Sequence, residues 1–162
     1  LDEEQLHFVL GVGAGDHEPL VGYLQAELRK FRLCGDGDLI RIGTALHEAF
    51  INAVEHGNLE LSSDLRNDTQ GAYQRLCKQR RQEPPYCERK VRVLANLTRD
   101  EIRITIRDQG RGFDPSGLPD PTVPENIGKI SGRGLLLIRT FMDDVQFNET
   151  GNEITLVKKK TA

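Results

Sequence analysis

A chain of 162 residues, 37% of them hydrophobic, is long enough to close one core. Its net charge of −3 and pI near 5.8 argue against a dedicated nucleic-acid binder, whose footprint is a basic excess. No stretch is apolar for long enough to span a membrane.

The chain opens on a predicted strand over residues 6–12. A helix follows from about Asp16, which can cap it; Pro19 suits its first turn, and Leu20, Val21, Leu24, Leu28 and Phe31 are its apolar positions. Cys34, Gly35, Asp36 and Gly37 then break the helical pattern. The next helix, starting at Asp36 or Asp38 and ending at Gly57, is the informative one. It sets Glu48, Asn52 and His56 at successive four-residue steps, hence on one face, while Ile42, Leu46, Ala49, Phe50 and Ala53 make a separate apolar stripe that can be buried against a sheet. A carboxylate beside an amide suits magnesium-nucleotide chemistry, because the amide oxygen can complete a hard cation's shell and the carboxylate can accept a proton. Taken alone, the same row also describes a solvated polar face. A zinc peptidase motif is excluded: His47-Glu48 lacks its second histidine, since Ile51 stands at that position.

Residues 59–90 form an insertion before the next strand. Its second half is basic, through Arg75, Lys78, Arg80, Arg81, Arg89 and Lys90, and is read as a solvated face, a dock for an acidic partner or a contact with another domain of a parent protein. A helix is predicted there from about Asp64 to Arg81, stopped by Pro84 and Pro85. After the strand over residues 91–97, the alternation of Ile102, Ile104 and Ile106 predicts another, ending on Asp108 and running into Gly110 and Gly112. An ionised Asp there can accept the exocyclic amine of an adenine, and the glycines let backbone approach a flat base. A plain turn is the alternative. Residues 114–131, rich in Pro and Gly, read as a mobile lid, with Lys129 and Arg133 able to reach phosphates and Gly128 and Gly132 as hinges. Gly132 and Gly134 open an apolar helical run whose free amides and dipole favour phosphate. Residues 145–147 and 154–157 flank a last hairpin turn. The sum is a single α/β (α+β) domain, a two-layer sandwich in which a mixed, mostly antiparallel sheet carries helices on one face.

The three motifs stand in one order: Ala45-Leu46-x-Glu48-Ala49-x-x-Asn52-Ala53-x-x-His56-Gly57, then Asp108-x-Gly110-x-Gly112, then Gly132-Arg133-Gly134-Leu135 leading to Met142-Asp143-x-Val145. Together they resemble the N, G1 and G2 boxes of the GHKL, or Bergerat-fold, histidine kinase-like ATPases over most of the chain, and look most like the anti-sigma-factor serine/threonine kinase branch. The resemblance implies ATP and Mg2+ as cofactors. It makes Glu48 the general base, Asn52 the magnesium ligand, Asp108 the adenine contact, and Gly110 and Gly112 the floor of the base pocket. Gly132 and Gly134 would bracket the phosphates, aided by Lys129 and Arg133, and His56 would line the pocket or cap its helix. The implied reaction is transfer of the ATP γ-phosphate to a regulatory partner protein: a STAS-type anti-anti-sigma factor, a sigma factor or a receiver domain. A homodimer is in keeping with the family. The ATP-binding domain of a two-component histidine kinase and a nucleotide-dependent, non-catalytic switch share the same pocket and stay open. The 59–90 connection is longer than is typical of the branch.

Cys34, Cys77 and Cys87 are odd in number and form no Cys-x-x-Cys, which disfavours a disulfide framework or a structural zinc. With an acidic, polar start where a signal peptide would be apolar, the expected location is the cytoplasm. The first residue, Leu1 rather than Met, suggests a domain excised from a longer regulatory protein.

Overall fold

The computed structural model describes residues 2–62, 71–113 and 130–161. Five strands form one sheet: β1 (Glu3–Leu10), β2 (Val91–Thr98), β3 (Glu101–Arg107), β4 (Asp144–Phe147) and β5 (Glu153–Lys159), in the order β1-β2-β3-β5-β4. Every pairing among the described residues is antiparallel, in keeping with the expected, mostly antiparallel sheet. The first four strands alternate. Val91, Val93, Ala95 and Leu97 of β2 and Ile102, Ile104 and Ile106 of β3 are buried on one face, while Arg92, Arg103 and Arg107 stand exposed on the other.

The buried face is covered by α1 (Glu18–Lys30), α2 (Asp36–Ile51) and α4 (Ile130–Phe141). Leu24 and Leu28 of α1, Ile42, Leu46 and Phe50 of α2, and Ile138 of α4 are wholly buried, each burial contributing about 1.5–3 kcal/mol. Pro19 lies in the first turn of α1, as its fixed φ predicts. The expected cap is different: Asp16 accepts from the Gly13 amide at 3.1 Å, closing a turn ahead of the helix, and His17 is the N-cap. α2 starts at Asp36, one of the two expected starts, with Gly35 as its N-cap.

Past Ile51 the helix does not stop. It widens into a π-helical segment, Asn52–Asn58, a form concentrated at functional sites. The helix predicted from Asp64 is α3 (Ala72–Arg80) in the described part of the insertion; residues 63–70 lie outside the described residues.

The basic half of the insertion is not simply a solvated face, which corrects that expectation. Arg80 donates to the carbonyls of Leu59 and Glu60 at 2.7 and 2.9 Å, and Arg81 to that of Val12 at 2.8 Å. Arg89 donates to the carbonyl of Asn58 at 2.7 Å. These guanidiniums satisfy carbonyls that a helix end and a turn would leave unpaired, and only Arg75, Lys78 and Lys90 of the six basic side chains are exposed.

Candidate active site

At the junction of the π-helical segment, the end of β3 and the β4–β5 turn lies a cavity of about 470 Å³, within the usual size range of small-ligand sites. Ala49, Ala53, Ile106, Leu135 and Ile154 give it apolar walls, and Asn52, His56 and Asp108 add polar groups. Apolar walls with a few polar groups between them suit a heteroaromatic base.

Asp108 sits at the floor, 8% exposed. Its backbone amide is held by the Asn152 carbonyl at 2.9 Å, and its Oδ1 accepts from the Gly110 amide at 2.8 Å. Gly57 and Gly110 make this arrangement possible. A Cβ on Gly57 would overlap the Asp108 carboxylate, and one on Gly110 would overlap the Gly57 carbonyl. Gly112 adopts φ +77°, a left-handed conformation that glycine takes without strain, and its missing Cβ leaves room for the Thr150 carbonyl. Asn58 ties the two elements together: its amide donates to the Lys90 carbonyl at 3.1 Å, and its Oδ1 accepts from the Gln109 amide at 2.6 Å.

Gly134 on α4 meets the motif helix. A Cβ there would stand 2.9 Å from Glu48 Oε2 and 3.8 Å from Asn52 Nδ2, so both side chains converge on this glycine. Asn52 lines the cavity, and Glu48 lies one turn earlier on α2, half-buried and outside the lining. His56 lines it too, with Nδ1 at 2.8 Å from the Leu61 carbonyl, so its ring is held by the segment that closes the helix. Gly132 falls in the first turn of α4, and Arg133 beside it is exposed. Lys129 and residues 114–129 of the expected lid lie outside the described residues.

Residues 16–158 match the histidine kinase-like ATPase domain family. The chain belongs to that family. The ATPase domain is similar in fold to the crystal structure of the RsbU and RsbW domains of Rv1364c from Mycobacterium tuberculosis, with a TM-score of 0.52 at 16% sequence identity. That match covers 96% of this chain and 32% of the other, so the ATPase domain spans about a third of its neighbour's length. Among curated proteins, none matches the sequence. Membership in an ATPase family makes ATP the nucleotide for this domain.

Sequence reasoning missed several residues of the ATPase domain's pocket. Glu60, Arg111, Phe113, Phe147 and Asn152 all line it. Arg111 and Phe113 interleave with the glycines already singled out, a readable signal; Glu60 and Asn152 come from an insertion and a hairpin that only tertiary packing delivers. Glu60 is ion-paired with Arg111 and, at 3.0 Å, with Arg89. Burial alone would raise its carboxyl, but the hydrogen bond from Arg89 and the charge of Arg111 outweigh this and hold it below the usual range.

Asp108 behaves in the opposite way. Burial pushes its carboxyl up to about 6, the Gly110 hydrogen bond and the charges of Arg89 and Arg107 offsetting only part of the rise. The folded state therefore holds the proton more tightly than the unfolded chain. The stability this confers is complete below the ordinary carboxylate value of 3.8 and is lost as pH rises through about 6. We expect the native domain to lose stability relative to Asp108→Asn, which carries no titrating group, between about pH 4 and about pH 7. Urea unfolding of both proteins across that window measures it, and a constant difference would remove the perturbed carboxyl. No helix among the described residues is long and apolar enough to cross a membrane.

Proposed function

We propose that this ATPase domain is a protein kinase of the anti-sigma-factor type, transferring the ATP γ-phosphate to a serine or threonine hydroxyl of a regulatory partner protein. The observation that carries the proposal is that Asn52, which shares one pocket with the buried Asp108, converges with Glu48 on Gly134. A base seated on Asp108 directs its phosphates toward that convergence. There the missing Cβ of Gly134 lets α4 approach Glu48 and Asn52 closely, and the start of α4, one turn earlier, contributes its dipole.

In this reading Asp108, ionised, accepts the exocyclic amine of adenine, with Gly110 and Gly112 beneath the base. Gly132 and Gly134 flank the phosphates, and Lys129 and Arg133 supply positive charge to them. Glu48 accepts the proton of the attacking hydroxyl as its oxygen bonds to the γ-phosphorus and the bond to the bridging oxygen breaks, releasing ADP. A magnesium ion fits the donor set at the phosphate end, where the Asn52 amide oxygen is a hard ligand that leaves other positions to water and phosphate. Bound there, it would neutralise phosphate charge. The partner is expected to be a STAS-type anti-anti-sigma factor, a sigma factor or a receiver domain, and the domain itself a homodimer.

The test is calorimetric titration of ATP into the native domain and Asn52→Ala, with and without magnesium. The native domain should bind ATP in a magnesium-dependent way. Asn52→Ala should bind at least about tenfold more weakly with magnesium, a loss of about 1.4 kcal/mol, and no differently without it. Equal affinities with magnesium would remove Asn52 from the metal site.

A further inference from the structure

The insertion that sets this chain apart reaches the pocket wall. We propose that Arg80 and Arg89, both from the insertion, are positioning residues for nucleotide binding, and that they act through Glu60. The inference rests on the reading of the pocket as the ATP site.

Three consecutive carbonyls at the end of the π-helical segment, those of Asn58, Leu59 and Glu60, are taken by these two guanidiniums, at 2.7, 2.7 and 2.9 Å. Arg89 also holds the Glu60 carboxylate at 3.0 Å. Both guanidiniums lie against the ring of Tyr86, at 4.8 and 5.2 Å from its centroid, which fixes their planes. The segment they hold is not relaxed. Glu60 has φ 51°, a left-handed conformation that a non-glycine residue adopts only when its surroundings impose it.

What is held matters, because Glu60 lines the cavity and Asn58 is the residue bonded to the Gln109 amide next to Asp108. The path from the insertion to the base-contacting carboxylate thus runs through Arg89, Asn58 and Gln109. Glu60 also pairs with Arg111, which lines the same pocket. Without the two guanidiniums, the Glu60 backbone would relax out of its left-handed conformation and the pocket wall that it forms would lose its register. Arg81 provides a contrast. It anchors the same insertion, to the Val12 carbonyl and to Glu55 at 3.7 Å, but neither of these lines the pocket.

The experiment is ATP titration into the intact domain and its Arg89→Met, Arg80→Met, Arg89→Lys and Arg81→Met variants, each with its melting temperature. Arg89→Met and Arg80→Met should bind ATP at least about tenfold more weakly, measured well below their melting temperatures. Arg89→Lys, which keeps a charge for Glu60, should recover part of the loss, and Arg81→Met should melt earlier yet bind within about twofold of the native domain. A purely structural role would lower melting temperatures in all of them and leave the affinity of the folded protein unchanged. That result overturns the proposal. Where the Met variants fail to fold, Glu60→Gln serves in their place, with native-like affinity again overturning the proposal. A native domain that binds no ATP would instead overturn the reading of the pocket.

Discussion

Glu48→Gln is expected to slow phosphoryl transfer by orders of magnitude while leaving ATP binding intact. The glutamine matches the carboxylate in shape, so the contact with Gly134, where a Cβ would already stand 2.9 Å from Glu48 Oε2, is preserved. Only the capacity to accept a proton is lost. A positioned general base contributes about 10²–10⁴-fold to a rate, and transfer should fall by that factor. ATP hydrolysis, with water as the acceptor, provides an assay that needs no partner. Transfer to a STAS-type protein, followed as acid-stable phosphoester, provides the second; acid-labile product would instead indicate a histidine acceptor. Affinity for ATP should stay within about twofold of native, because Glu48 lies outside the pocket lining. If binding and turnover fell together, Glu48 would be a brace for the α2–α4 contact.

Gly110→Ala should eliminate nucleotide binding and destabilise the fold together. The added methyl meets backbone, the Gly57 carbonyl, and stands 3.1 Å from Asp108 Oδ1. Neither can move cheaply. The Gly57 carbonyl belongs to the π-helical segment, and Asp108 is fixed by its backbone bond to Asn152. Overpacking of this kind costs about 1–3 kcal/mol, equivalent to a melting point roughly 2–12 °C lower in a domain of this size. The strand end and the motif helix must separate to admit the methyl, which carries Asp108 away from its place at the pocket floor. Gly22→Ala gives the opposite sign. Gly22 is exposed within α1 with nothing near its absent Cβ, so alanine there should stabilise by about 0.5–1 kcal/mol. Thermal unfolding of the two variants, with ATP titration of each, tests the contrast. A Gly110→Ala domain that binds ATP normally would refute the tight approach of these two elements.

Much of the architecture was legible because local patterns carried it. The alternation of Ile102, Ile104 and Ile106 and the stripe through Ile42, Leu46, Ala49 and Phe50 bury as their periods predict, since a strand and a helix each have one repeat that places side chains on a common face. The capping residues were less legible. Asp16 is a good cap by type, yet it closes a turn ahead of α1, because several polar residues near a helix start compete for the same amides.

By itself, then, the sequence determined the antiparallel core's strands, the helices that cover them, and the order of the three motifs, all of which depend on neighbours within a few residues. The tertiary structure alone decided that the motif helix widens into a π-helical segment at Asn52. It alone brought Gly134 against Glu48 and Asn52, and turned Arg80 and Arg89 inward upon the end of that helix. Such outcomes depend on contacts between distant parts of the chain. A basic run has the same composition whether water or a row of unpaired carbonyls receives its charges, and only the folded chain brings those carbonyls within reach.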